Sequence, residues 1–393
     1  MVAFIHCIVN GLQYNSGEDG AVRPQIPCPC ERRELCNFIQ SEREREFLGF
    51  FYPYNQQIAL YDWTQITDLA WVPPDRTDVI CAAHAAGVRV LLNADDVSGS
   101  IVDVHVRREW IARQVELARS YWYDGINFDY ELPAKMDSDL SRNYTQLVRD
   151  TSAAFKKLNP FAKVSVDVPW SAFGNDDRDY DYVGLAAVAD RLFVMSYDMQ
   201  AQIFGRCAAA ANSPQPQILK GVRQYLDLGI PASKLILGVA WYGYDYPCER
   251  DAHGVAPDPW VDVCLLRPVE YRGSLCSDAA GVQRDHKDLM ALLRSGRNTT
   301  GLIWDPLAGS PRFNYVQNEE SGGAVHQVWL ETPESLTLRY ALARKLGLRG
   351  VGAWNMGCLE HSGDAEPAAR ADTAAMWQAV RNFTGGPNRW EQR

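Results

Sequence analysis

The sequence predicts an α/β fold, a (β/α)8 TIM barrel with a small α+β insertion between strands 7 and 8. Three observations predict it. Eight short, near-continuous apolar runs recur between residues 47 and 356, as expected for parallel strands buried on both faces. Stretches of helical period separate them. No Gly-rich GxGxxG follows the first run, which argues against an open doubly wound sheet holding a dinucleotide.

In chain order the strands are FLGFFYPY (47–54), ITDLAWV (66–72), VRVLLNA (88–94), GINFDYEL (125–132), KVSVDVPW (163–170), RLFVMSYD (191–198), LILGVAWYG (235–243) and GVGAWNM (350–356). Among the helices, Val104, Ile111, Val115 and Ala118 share one face. Leu140, Tyr144, Leu147, Thr151 and Phe155 share another, with Asp137 as the expected N-cap. Residues 247–325 are too long for a barrel loop and hold three cysteines with many Gly and Pro. An unstructured loop of that length is uncommon, so the segment reads as the inserted subdomain. HQVWL (326–330) and a helix from about Pro333 then resume the regular pattern. The chain divides into a leader at 1–27, a barrel domain at 28–385 and a tail at 386–393.

A hydrophobic fraction of 47% and a charged fraction of 22% fit a soluble globular protein. The net charge of −10, with no basic run, argues against nucleic acid or an anionic membrane surface as partner. No run approaches the roughly 20 apolar residues that span a bilayer. The 12 Trp and 18 Tyr suit sugar recognition, because aromatic faces stack on the C–H faces of a pyranose.

The ten cysteines show no zinc-ribbon or redox CxxC spacing, and the seven histidines are scattered without HExxH. Neither a metal nor a cofactor is expected. Cysteine clusters at 28–36 and 248–276 lie in loop-like segments that disulfides would staple. With the sequons at Asn143, Asn298 and Asn382 they favour a secretory route. The signal at 2–9 is short and poorly formed. Loss of a leader would remove Cys7 and leave nine cysteines, hence at least one free thiol or an intermolecular bridge.

The strongest local signal is YDGINFDYEL at 123–132. Alternation along a strand puts Asn127, Asp129 and Glu131 on one face, the inward face of a barrel. Asp129 and Glu131 lie roughly 6.6 Å apart by Cα, and two shielded carboxyl groups that close tend to share a proton. A protonated carboxyl at an open strand end can act as a general acid. One acid there would be an ordinary solvated residue. Three polar residues inside an apolar strand point to chemistry, because burying them idly costs too much.

The segment resembles the DGxDxDxE signature of family 18 glycoside hydrolases, with Asp124, Gly125, Asn127, Asp129 and Glu131 in register. Asn127 stands where an acid is usual. MSYD (195–198) resembles the sixth-strand motif of the family and AWN (353–355) its eighth strand. LLNADD (91–96) departs from the usual SxGG turn, and Ala240 replaces a common Pro. CPCERRELC (28–36), YDWTQIT (61–67), FVMSYDMQAQI (193–203), WYGYDY (241–246), CSDAAG (276–281) and HQVWL extend the match to one branch of the family.

The resemblance implies Glu131 as general acid and base, Asp129 as orienter of the substrate's acetamido group, and Tyr197 as donor to its carbonyl. Trp354 would floor the sugar site, with Asn127, Asp198 and Met195 around it. It implies substrate-assisted, retaining hydrolysis of short β-1,4-linked N-acetylglucosamine, the chitobiose core of N-glycans, with release of the reducing-end sugar. The implied partner is that oligosaccharide, the implied state a monomer, and the implied location the lysosome or the secretory route. Two alternatives stay open: an endo-acting chitinase of the family, and an inactive lectin that binds chitin oligosaccharides.

Overall fold

The computed structural model describes residues 26–199, 207–250, 257–258, 260, 262–296, 298–317 and 323–385. Apart from Ile26 and Pro27, the expected leader and tail lie outside the described residues.

Eight parallel strands close into a barrel. They are β1 (Glu46–Phe50), β2 (Asp68–Ala70), β3 (Arg89–Asn93), β4 (Gly125–Phe128), β5 (Lys163–Pro169), β6 (Arg191–Met195), β7 (Leu235–Ala240) and β13 (Gly350–Trp354). Each falls on one of the eight apolar runs. The barrel centre is packed rather than hollow: Phe50 and Phe193 meet inside it with ring centroids 5.0 Å apart. Two glycines make room for this plug. A Cβ at Gly238 would lie 2.4 Å from the Phe193 ring, and one at Gly352 would lie 2.7 Å from it.

Between β7 and β13 the chain builds a separate antiparallel sheet. Its strands are β8 (Tyr242–Pro247), β9 (Val282–Asp285), β10 (Ile303–Asp305), β11 (Ser310–Gln317) and β12 (Ala324–Trp329), in the order β10-β11-β12-β8-β9. A helix at His286–Arg294 packs Leu289 against Phe313, Tyr315 and Val328 in a small second core. This is the expected α+β insertion. Its sheet starts at Tyr242 and ends at Trp329, so it reaches past 247–325 at both ends and takes in most of HQVWL.

The helix at Asp139–Leu158 buries Tyr144, Leu147, Thr151 and Phe155 on one face, as its spacing predicts. Its cap differs. Ser138, in extended backbone, accepts from the Ser141 N–H at 3.2 Å, and Asp137 stands one residue outside. A second difference is the buried face of the helix at Val104–Ser120, which runs through Arg107, Trp110, Gln114 and Ala118. Val104 is exposed, with Ile111 and Val115 half-buried. Polar anchors explain the rotation. Trp110 Nε1 donates to the Asp95 carbonyl at 2.8 Å, and Arg107 donates to the carbonyls of Ser100 and Ile101.

Four disulfides staple the chain: Cys28–Cys36, Cys30–Cys81, Cys207–Cys276 and Cys248–Cys264. Among the described residues, Cys358 is buried and is the one cysteine outside these disulfides. The sulfurs of Cys28, Cys30 and Cys36 lie within 4.8 Å of one another, but all three are in disulfides and offer no thiolate. Asp124 of the strand-4 signature anchors this N-terminal segment. Its carboxylate accepts from the Ile39 N–H at 2.7 Å and pairs with buried His84 at 2.9 Å. Among the described residues, no helix is long and apolar enough to cross a membrane.

Candidate active site

Every candidate residue sits at the C-terminal end of a barrel strand, the end where enzymes of this architecture work. Asn127 lies on β4, and Asp129 and Glu131 follow directly from it. Met195 ends β6, with Tyr197 and Asp198 just beyond. Trp354 ends β13.

The three polar residues of the strand-4 signature have different surroundings. Asn127 is fully buried and acts as a fixed hub. Its Nδ2 donates to Ser165 Oγ and to Asp167 Oδ1, each at 2.9 Å, and its Oδ1 accepts from Trp71 Nε1 at 2.7 Å. An amide suits this position because it both donates and accepts, which a carboxylate cannot do.

Asp129 is half-buried with its Oδ1 shut off from solvent, and desolvation pushes its carboxyl well above the usual range. The Glu131 charge adds to the rise, against a weaker opposing pull from Arg178. Among the described residues, its buried Oδ1 has no hydrogen-bond partner. Asp167 is raised in the same direction, first by burial and then by Asp129. Asp129 and Asp167 therefore resist ionising together, so that one can carry a charge while the other stays neutral. Glu131 is the open member, with 45% of its side chain exposed.

Around the acids lie donors and rings. Burial pushes the Tyr197 hydroxyl well above its usual range, so it stays an O–H donor. Asp198 stands open to the cleft, yet protein surrounds it closely enough that burial pushes its carboxyl up to about 6. The hydroxyls of Tyr242 and Tyr244 donate to it at 2.6 and 3.1 Å, and its own N–H donates to Asn212 Oδ1 at 2.6 Å. Trp354 is half-buried in an aromatic box, with Phe50 at 5.3 Å, Trp71 at 5.0 Å and the stacked Tyr52 at 5.9 Å between centroids. Such a ring can receive the face of a sugar. Met195 is half-buried and packs against the core beside it.

Sequence reasoning passed over four participants. Asp167 had a signal: it is an acid in the apolar run KVSVDVPW, on the face opposite Val164, Val166 and Val168. Trp71 is next to last in the second run and bonds the hub. Asp278, in the insertion, accepts from the Tyr246 hydroxyl at 2.9 Å, and burial pushes its carboxyl up to about 8. Arg178, whose Nη1 bonds Glu131 Oε2, had no signal, because GNDDRDYDY reads as a solvated charged loop.

A barrel whose fourth strand ends on a half-buried Asp that resists ionising and an open Glu, beside a tyrosine donor and an aromatic floor, suits glycoside hydrolysis. Residues 86–358 match Glycosyl hydrolases family 18, and the chain belongs to that family. Its curated relatives include the di-N-acetylchitobiase of Rattus norvegicus, 40% identical over 355 residues that cover 90% of this chain and 92% of the relative. The di-N-acetylchitobiase of Homo sapiens is 38% identical, covering 90% and 88%. Among solved structures, the family 18 chitinase of Cycas revoluta in complex with (GlcNAc)3 superposes with a TM-score of 0.64 at 16% identity. That superposition covers 86% of this chain and 99% of the chitinase, and at such identity it speaks for the fold alone.

Proposed function

We propose that this hydrolase cleaves the β-1,4 linkage of short N-acetylglucosamine chains, above all the chitobiose core of N-glycans, releasing the reducing-end sugar. The observation that carries the reading is the pairing of Asp129, whose buried Oδ1 is unpartnered among the described residues, with the open Glu131. Similarity to two di-N-acetylchitobiases over nine-tenths of the chain supports the substrate.

In this reading the 2-acetamido oxygen of the substrate attacks C1 while Glu131 protonates the leaving oxygen. Asp129 accepts from the acetamido N–H and offsets the positive charge on the oxazolinium ring. Tyr197 donates to the acetamido oxygen and aligns it. Trp354 lies under the distorted sugar, while Asn127, Asp198 and Met195 hold the pocket around it. Glu131 then takes a proton from water that attacks C1, giving retention. In this reading the enzyme acts as a monomer.

Four disulfides favour an oxidising, secretory route. The lysosome fits best, because the chitobiose core of N-glycans is left there once the protein part has been degraded. The test is mass spectrometry of products from reducing-end-labelled chitotetraose, with wild type beside Glu131→Gln. Loss of the labelled monosaccharide alone in the first cleavage, abolished in the variant, is the expected result. Internal cleavage into disaccharides would favour an endo-acting chitinase, and bound but intact sugar would favour a lectin.

A further inference from the structure

Glu131 is exposed at the mouth of the site, yet its carboxylate is not free. Nη1 of Arg178 bonds its Oε2, and Nη2 of the same guanidinium bonds Asp176 Oδ2 at 3.0 Å. The exposures are opposite: 7% for the arginine side chain against 45% for the glutamate. A buried cation therefore holds an exposed acid.

The arginine is fixed by its backbone. Ala134, three residues after Glu131, pairs with Arg178 as an isolated parallel bridge. The Ala134 N–H donates to the Asp177 carbonyl at 2.9 Å, and the Asp179 N–H returns a bond to Ala134 at 2.8 Å. The Tyr182 hydroxyl donates to the Arg178 carbonyl. Arg272, from the insertion, closes a latch over the pair. It donates to the Asp176 carbonyl at 3.1 Å and to the Glu131 carbonyl at 3.5 Å. Nε of Arg178 is buried and, among the described residues, unpartnered. A buried donor left unmade is costly, and such a cost is tolerated where the side chain has another task.

We propose that Arg178 is a positioning residue for the general acid, aiming Glu131 and stabilising the negative charge that appears on it during bond cleavage. This rests on the proposed function above. In the first step the C1–O bond breaks and its electron pair stays on the leaving oxygen. The Glu131 proton completes the leaving hydroxyl, and the acetamido oxygen bonds to C1. Glu131 is left as a carboxylate, and the Arg178 guanidinium already faces it. A pre-aimed cation next to developing charge lowers the barrier without reorganisation. Asp176 and Arg272 keep the guanidinium from following the glutamate into the cleft.

The test compares two substrates by kcat/KM, which reports steps through bond cleavage. Chitobiose has a leaving sugar that needs a proton. The dinitrophenyl β-glycoside of N-acetylglucosamine has a leaving group that does not. Arg178→Ala should lower kcat/KM for chitobiose roughly 10- to 100-fold, the size of one charge-assisted hydrogen bond. On the dinitrophenyl substrate the loss should stay within about threefold. Arg178→Lys should recover part of the chitobiose loss, and Arg272→Ala should show the same pattern at smaller size. These two variants keep the test alive if Arg178→Ala folds poorly. Equal losses on both substrates, or none on chitobiose, would overturn the role of Arg178 while leaving the function intact. A wild type inactive on both would sink the function and the role together.

Discussion

Both ends of this barrel bury acids, but the two ends treat them differently. At the N-terminal end, Glu46 of β1 is almost fully enclosed. Burial alone would raise its carboxyl, but Arg191 and Arg349, the latter bonded at 2.9 Å, outweigh it and hold the group below the usual range. Nearby Asp68 has Arg89 at a looser 3.4 Å, and there burial wins and the carboxyl is raised. At the C-terminal end, Asp167 is buried and Asp129 half-buried, with an amide and neighbouring acids for company, and both rise well above the usual range. A buried acid clamped by arginine holds the fold together. One left without such a clamp resists ionising, which marks it as a candidate for chemistry.

The sharpest way to break this comparison is a pair of substitutions with opposite signatures. Asp129→Asn removes a carboxyl that resists ionising and keeps its shape. It should lower kcat by about 10²- to 10³-fold, while the melting temperature at neutral pH holds or rises. Glu46→Gln should do the reverse. It leaves two arginines short of a charge at a cost of about 3–5 kcal/mol, as for other broken buried pairs. Activity per folded molecule should survive. Differential scanning calorimetry with active-site titration reads both. If Asp129→Asn unfolds the protein, or Glu46→Gln abolishes turnover in folded enzyme, the division of labour between the two ends is wrong.

Much of this was legible in the sequence, for reasons that explain what was not. The eight strands stand out because parallel barrel strands are apolar on both faces. The strand-4 acids stand out because period-2 alternation puts Asn127, Asp129 and Glu131 where water is scarce. Asp167 obeys the same rule and could have been read from its run. Arg178, Arg272 and Asp278 could not, because they come from charged or Gly-rich loops whose approach to β4 and β8 is a tertiary fact. The insertion was visible as length, but its edges were not. β8 begins two residues after β7 ends, so one apolar run feeds two different sheets. The rotated helix at Val104–Ser120 teaches a related point. An arginine and a tryptophan bonded to carbonyls can turn a helix against its aliphatic stripe.

Asp278 offers the smallest effect and the finest test, because it lies in the insertion rather than on the barrel. Burial first, then the charge of Asp198, pushes its carboxyl up to about 8, against about 3.9 in an unfolded chain. The folded protein therefore binds this proton more tightly than the unfolded chain does. Its contribution to stability is fully present below about pH 3.9 and is lost progressively as pH rises through 8. Asp278→Asn keeps an oxygen to accept from Tyr246 and cannot ionise. Between pH 5 and pH 8.5 the wild type should lose melting temperature, and the variant should lose less, by on the order of several degrees. Parallel curves would mean that Asp278 ionises without penalty in the folded protein. The rule that an unclamped buried acid keeps its proton would then stop at the barrel's edge.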